Sequence, residues 1–238
     1  MSIDRIVAAL LVATGLSAAG WTVSQGLERF RMSERTITVK GLAEREVDSD
    51  FAVWTLTFRR AGNVFGDVQK ALAADREQVA AFLRKAGFED AEVEVRPLQV
   101  TDVYSREYSQ SNQPMRYTGN GQVLVKSVRV AEIGKAALAI DPLIQSGLMI
   151  EGGSGPRYQL RGFNEVKAPL LAEATRNARE QATKFAAEAG ATLGRLKSAN
   201  QGVIRISGDG DGGDSDFDDG SARVKRLRVV STFQYELR

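Results

Sequence analysis

TITVKGLAEREVDSDFAVWTLTF, residues 36–58, holds two strand-like runs on either side of a charged turn. In the first run, Ile37 and Val39 share one face, and the polar residues around them share the other. In the second run, residues 51–59, successive side chains again alternate between two faces, which is the period of a β-strand. One face of that run is formed by Ala52, Trp54, Leu56 and Phe58. The segment therefore predicts two strands at the start of a folded domain.

The composition is that of a folded protein without a strong charge bias. The 238 residues are enough for one large domain or two small ones, and the net charge is only +2. A dedicated nucleic-acid-binding protein would carry a concentrated basic surface. The best local candidate is the basic run Arg223–Arg228 (RVKRLR), but it lies on an alternating strand, which favours a solvated strand face. We therefore predict no nucleic-acid partner.

The chain contains no histidine and no cysteine. This removes the commonest general base near neutral pH, the thiolate nucleophile, and nearly all zinc and copper sites. Chemistry based on carboxylates, lysine or hydroxyl groups would remain, but without its usual imidazole partner. Because there is no cysteine, the sequence does not indicate the redox compartment.

An uncharged segment of about 18 residues, Ile6–Val23, lies near the N-terminus and is just long enough to span a membrane as a helix. Arg5 precedes it, and Trp21 occupies the place of an interfacial aromatic residue. We expect a retained membrane anchor with a connecting helix, residues 1–33. Two alternatives stay open, a cleaved signal peptide with Ser17 and Ala19 before the cut, and a buried soluble helix.

The remaining sequence predicts an α+β domain over residues 34–238, with a mixed, largely antiparallel sheet packed by three helices. No linker divides it, so we expect one domain. The predicted helices are Gly66–Ala86, a second from about Ala131 that is disturbed at Asp141–Pro142, and Glu165–Ala189; the further strands are Glu92–Tyr104, Met115–Val128, a broken Leu148–Phe163, Leu196–Ser207 and Arg223–Arg238. The inward stripe of the first helix is Val68, Leu72, Val79, Phe82, Leu83 and Ala86, and that of the third is Leu171, Ala174, Ala178, Phe185 and Ala189.

An aspartate-rich segment, Gly208–Gly220, has some ingredients of a calcium loop, namely several oxygen ligands at short spacing with glycines to turn on. It lacks the terminal bidentate glutamate, and it joins two predicted strands rather than two helices. A solvated acidic loop is therefore favoured, and no metal site is assigned. Its carboxylates are Asp209, Asp211, Asp214, Asp216, Asp218 and Asp219.

Three other groups of residues have a functional and a structural interpretation. Gly119–Gly121 and Gly152–Gly155 do not stand between a strand and a helix as a phosphate-binding loop requires, so turns or bulges are favoured. The clustered carboxylates of the charged turn are expected to be exposed rather than catalytic. They are Glu44, Glu46, Asp48 and Asp50. We assign no catalytic, cofactor-binding or metal-ligating residue and expect no cofactor.

Three motifs resemble the SIMPL-domain family of bacterial envelope proteins. They are VKGLAERE at Val39–Glu46, KAGF at Lys85–Phe88, which ends the central helix, and RNAREQA at Arg176–Ala182 in the alanine-rich third helix. The resemblance covers most of residues 35–238. It implies an envelope protein tied to stress defence, with members that self-assemble into rings, and it carries no established catalytic residue.

Two classes of function follow. The first is a non-enzymatic, membrane-anchored envelope protein that forms a closed homo-oligomer, because Val123–Val125 and Leu148–Ile150 have apolar residues on both faces. The second is a periplasmic small-ligand binder or carboxylate-dependent enzyme. The resemblance implies a single-pass inner-membrane protein with its domain in the periplasm, although Arg29, Arg31 and Arg35 after the apolar segment favour the opposite orientation.

Overall fold

The computed structural model describes residues 12–25, 35–105, 114–153, 155–208 and 220–238. The described part of the first helix, α1, covers residues 12–25. Within the described ranges, no helix is long and apolar enough to cross a membrane. Residues 6–11 of the expected anchor and its connecting helix lie outside those ranges, so the membrane anchor stays a prediction.

The described residues after α1 form eight strands and four helices, which confirms the α+β class. Both strands of the opening segment are present, and the second helix region is broken just before Asp141–Pro142, where a disturbance was predicted. In chain order the elements are β1 Thr36–Asp48, β2 Phe51–Gly62, α2 Phe65–Lys85, β3 Val93–Val95, β4 Gln99–Asp102, β5 Tyr117–Ser127, α3 Val130–Leu138, α4 Asp141–Gln145, β6 Pro156–Gln159, α5 Phe163–Glu188, β7 Leu193–Gly208 and β8 Val224–Leu237.

The strands form two sheets, where the sequence predicted one. The first has the order β1-β8-β7, and the second has the order β3-β5-β2-β6 with β4 also paired to β5. Every pairing with a defined register in the second sheet is antiparallel. Because β1 and β2 follow each other directly in the chain, the sequence suggested a single sheet. The structure places them in different sheets.

The chain forms two compact units. Among described residues, unit 1 holds those up to Glu44 together with Lys167–Ile204 and Arg228–Arg238, and unit 2 holds Arg45–Val166 and Arg205–Leu227. The strands β1, β7 and β8 and the helix α5 each continue from one unit into the other, and no linker sequence marks the boundary. The single domain from about residue 34 stays a prediction.

The core of unit 2 lies between the second sheet and α2, α3 and α4. The alternation in β2 is confirmed, since Ala52, Trp54, Leu56 and Phe58 are all buried. Leu72 and Leu83 of α2 pack into the same core. Arg60 of β2 donates two hydrogen bonds to Asp75 of α2, at 2.6 and 2.7 Å, so the buried carboxylate is paired.

The core of unit 1 forms where small residues on α5 pack against larger apolar residues of β1 and β8. The buried stripe recurs every four residues, and Phe185, which was expected on it, is 54% exposed. A methyl group added at Gly41 of β1 would lie 2.0 Å from the carbonyl oxygen of Ala174 and 2.8 Å from the Ala178 side chain. The small residues therefore let the helix lie directly on the strand. The buried residues of the stripe are Leu170, Ala174, Ala178, Ala182 and Ala186.

Several predicted boundaries were wrong. β1 continues to Asp48, so the charged turn is in fact strand. The predicted strand Glu92–Tyr104 is two short strands separated at Pro97, which cannot donate to a strand ladder. The run Val123–Val125, with apolar residues on both faces, is buried on both faces within the described chain. In the other such run, Leu148–Ile150, Met149 is 64% exposed.

Candidate functional site

Three carboxylates of the expected charged turn lie on β1 and have structural partners. In unit 2, Glu46 faces Arg226 at 3.7 Å, and Asp48 faces Arg223 at 3.5 Å. In unit 1, Glu44 lies 3.1 Å from the guanidinium of Arg228. These are cross-strand ion pairs between partly exposed side chains, and each contributes little to stability. These ion pairs account for the acidic residues without any catalytic role.

The basic run on β8 is not a continuous solvated face. Lys225 and Leu227 are fully buried, whereas Arg226 and Arg228 point outward. The predicted strand alternation is therefore correct, but it places one lysine side chain in the interior. Fully buried lysines are rare in proteins, so composition alone could not indicate this position.

Asp50 binds the backbone of the segment just before α5. Its carboxylate accepts hydrogen bonds from the backbone N–H groups of Arg161, at 2.7 Å, and Gly162. The guanidinium of Arg161 lies 3.1 Å from the ring centre of Phe51. Asp50 thus fixes the local backbone geometry just before α5.

Of the two candidate glycine loops, Gly119–Gly121 is part of β5 rather than a turn or bulge, and its glycines have packing roles. Gly121 lies in β5, and a methyl group there would come within 2.4 Å of the Phe58 ring. Gly119 is similarly close to Leu72. Gly152 and Gly153 lie in a turn, as predicted, and Ser154 lies outside the described residues. A phosphate-binding role is not supported at either place.

The six aspartates of residues 209–219 lie outside the described residues, so the structure does not test the calcium loop. Across the ranges that are described, no group of three or more aspartates and glutamates could hold a metal ion.

Glu92 has the most strongly shifted carboxyl group in the described chain. A hydrogen bond from Arg129 is the main cause that lowers the pKa of Glu92 to about 2, and Ser127 contributes in the same direction against the effect of burial. Arg129 also donates to the carbonyl of Gly87 at 3.0 Å and lies over the Phe88 ring. The cluster joins the end of α2 to the end of β5, which is a structural role.

Unit 2 has two open apolar depressions. The α3–β6 cleft has a cavity volume of about 860 Å³ and is walled by α3, Ile144 and the segment 150–158. The two charged residues on it, Glu151 and Arg223, are each in an ion pair, with Arg59 and Asp48 respectively. The cleft therefore offers apolar surface but no unbalanced charge.

The second depression, the α2–α4 groove, has a cavity volume of about 500 Å³. One wall is a single face of α2, because its residues recur at intervals of three and four. The lining residues are Gln78, Ala81, Phe82, Lys85, Ala86, Ala136, Ala139, Pro142, Leu143 and Ser146. Lys85 is the one charged residue among them, and the described chain provides no ion-pair partner for it.

The helical pattern of α2 did not reveal this groove. It placed Phe82 and Ala86 on the buried stripe of α2, but Phe82 is only partly buried and Ala86 is exposed. The signal was the clustering of alanines on that face and on α3, since small residues leave space between helices. Helix periodicity alone does not separate a filled interface from an open one.

Comparisons with known proteins give one informative match. No curated protein matches the chain. One similar solved structure is an amidase of the hydantoinase/carbamoylase family from Burkholderia phymatum, with 13% identity and a TM-score of 0.24, covering 51% of this chain and 30% of that one. Similarity at this level supports no argument about fold or function.

The family comparison is specific. The profile described as SIMPL, a protein of unknown function (DUF541), matches residues 37–226, which is most of the chain and includes β1 through the start of β8. The match contains the three motifs identified in the sequence and every strand of the second sheet. The chain therefore belongs to the SIMPL family.

Proposed function

We propose that the protein is a non-enzymatic, membrane-anchored component of the bacterial envelope that self-assembles into a closed homo-oligomer, with a role in stress defence. The apolar segment Ile6–Val23 supports the anchor, as does the exposure of the apolar side chains on the described part of α1. Val12, Leu16, Trp21 and Val23 are between 62% and 70% exposed. The envelope location and the stress role follow from the family resemblance.

The single observation that carries self-assembly is the exposure of β7. This strand is an edge of the first sheet, and residues 195–201 are exposed on both of its faces. Leu196 is 50% exposed, and Val203 is 81% exposed. A long edge strand presents unpaired backbone donors and acceptors, which another chain can use to extend the sheet.

The first sheet also has a second edge, β1. A closed ring requires two different surfaces on each subunit, because identical head-to-tail contacts must repeat around it. Contact between β7 of one subunit and β1 of the next would meet that requirement and would extend the sheet across the interface.

The test is to place charge on the β7 edge. We expect Leu196→Lys combined with Val203→Lys to reduce the full-length protein in mild detergent from an oligomer to a monomer, measured by native mass spectrometry. Lysine on an edge strand disfavours pairing with another strand. The matched control is Val128→Lys combined with Leu138→Lys, which introduces the same charge at two positions in unit 2 that are 74% and 87% exposed.

The control should keep the parent mass. An unchanged oligomer in the double variant, with the melting temperature also unchanged, would rule out the β7 interface. Equal dissociation by the control would mean that added positive charge, rather than its place on β7, disrupts assembly.

A further inference from the structure

We infer that the α2–α4 groove binds a single-chain amphiphile with an anionic head, namely a free fatty acid. This inference does not rest on self-assembly, because all of the groove's lining residues lie in unit 2.

The shape of the groove suits one flexible apolar chain. Four alanines, two on α2 and two at α3, leave the space between the helices open, and Phe82 and Leu143 provide apolar surface. The volume of about 500 Å³ lies within the range of about 300–1,000 Å³ that is typical of small-molecule sites. Burial of an apolar chain here would stabilise the complex by removing both surfaces from water.

The polarity of the groove indicates which end the head group occupies. At one end Ser146 donates a hydrogen bond of 3.3 Å to the side-chain oxygen of Gln78, so those polar groups already have partners. Lys85 lies seven residues further along α2, which corresponds to about 10 Å. Its ammonium has three donors and no ion-pair partner within the described residues.

The charge on the groove lining favours an anionic head group over a neutral or a cationic one. Lys85 is the single charged residue of the lining, and no carboxylate accompanies it. A lysine in the last turn of a helix interacts favourably with the helix dipole, but this interaction does not require an apolar groove beside it. The α3–β6 cleft, whose two charges are already paired, offers no comparable complementarity.

Trp54 provides a reporter of occupancy, and because it also lines the α3–β6 cleft, the groove-filling variant Ala81→Leu is needed to assign quenching to the groove. Its ring contacts Phe82 edge-on, with ring centres 6.4 Å apart, and Phe82 lines the groove. The chain has two tryptophans, so Trp21→Phe leaves Trp54 as the only one. We would titrate the full-length protein in phosphatidylcholine nanodiscs with 11-bromoundecanoate, whose bromine quenches nearby tryptophan, and use 11-bromoundecan-1-ol as the neutral analogue. Empty nanodiscs give the partition blank.

We expect saturable quenching by the carboxylate at lower concentration than by the alcohol. Lys85→Gln should weaken carboxylate binding about tenfold and leave alcohol binding unchanged, since it removes one charge-assisted contact. Lys85→Arg should retain binding. Ala81→Leu should abolish quenching by filling the groove. The matched controls on α2, Lys70→Gln and Ala74→Leu, lie outside the lining and should behave as the parent.

Two results would overturn the inference. One is the absence of saturable quenching above the nanodisc blank. The other is equal affinity for carboxylate and alcohol with no effect of Lys85→Gln. Melting temperatures of all variants, measured in the same nanodiscs, separate loss of binding from loss of folding. The outcome is independent of subunit number, so a failed binding test and a failed assembly test are distinguishable.

Discussion

The charged residues of this chain find their partners across strands, not within the local sequence. Glu46 and Arg226 stand 180 positions apart in sequence yet face each other between β1 and β8. Sequence alternation correctly placed Arg226 on a strand, whereas Glu46 was expected in a charged turn. It could not pair them, because the pairing depends on strand order and register, which are non-local.

Glu92 gives a pH-dependent prediction at the residue scale. Its pKa in the folded protein is about 2, below the ordinary value of 4.5, because Arg129 and Ser127 bond the ionised form. The unfolded chain therefore takes up the proton at a higher pH than the folded chain does. The stabilisation is complete above about pH 4.5 and is lost as the pH falls towards 2.

We therefore expect Glu92→Gln to destabilise the protein at pH 7 by about 1 kcal/mol, a modest value because Arg129 is partly exposed. The difference from the parent should shrink steadily below pH 4.5. Thermal unfolding from pH 2.5 to pH 7 measures this, with the exposed neighbour Glu89→Gln as the control. A difference that stayed constant over this range would contradict the assigned role.

Elements with a strong local pattern were predicted well from the sequence. The helix α2 begins and ends within one residue of the expected range, and the break before α4 follows from Pro142. The alternation of β2 correctly identified its core face. These features depend on periodicity and backbone chemistry, which are determined by residues close together in the sequence.

Features that depend on distant elements were not predictable. Two sheets were read as one because β1 and β2 share a pattern but have different partners. Phe185 was placed in the core because it is large and apolar, whereas α5 uses small residues to approach its sheet. The α2–α4 groove was missed because an alanine face looks the same whether its partner helix fills the space or leaves it open.

The packing of α5 on β1 gives a prediction at the element scale. Gly41→Ala should destabilise the protein by about 2 kcal/mol, because the added methyl group would meet the backbone oxygen of Ala174, which cannot move without shifting the helix. Chemical denaturation measures the change. Gly66→Ala on α2 is the control, since no atom lies within 4 Å of the new methyl group.

The control should be neutral or slightly stabilising, since alanine is the better helix former. If Gly41→Ala were as stable as the parent, α5 would not lie directly on β1.

At the scale of the whole molecule, the protein combines an apolar N-terminal segment with a two-unit fold that has an exposed edge strand. An anchor would hold the subunits in one plane and raise their effective concentration. The main contacts of the proposed oligomer nevertheless belong to the folded region, because β7 and β1 are the two edges of its first sheet. Assembly should therefore persist without the anchor.

The most direct measurement is the native mass of the full-length protein in mild detergent, together with that of a chain beginning at residue 34. The account predicts one defined multiple of 25.8 kDa for the full-length protein, and association of the shortened chain at tens of micromolar. A full-length protein that runs at 25.8 kDa, with a shortened chain that is also monomeric, would contradict it.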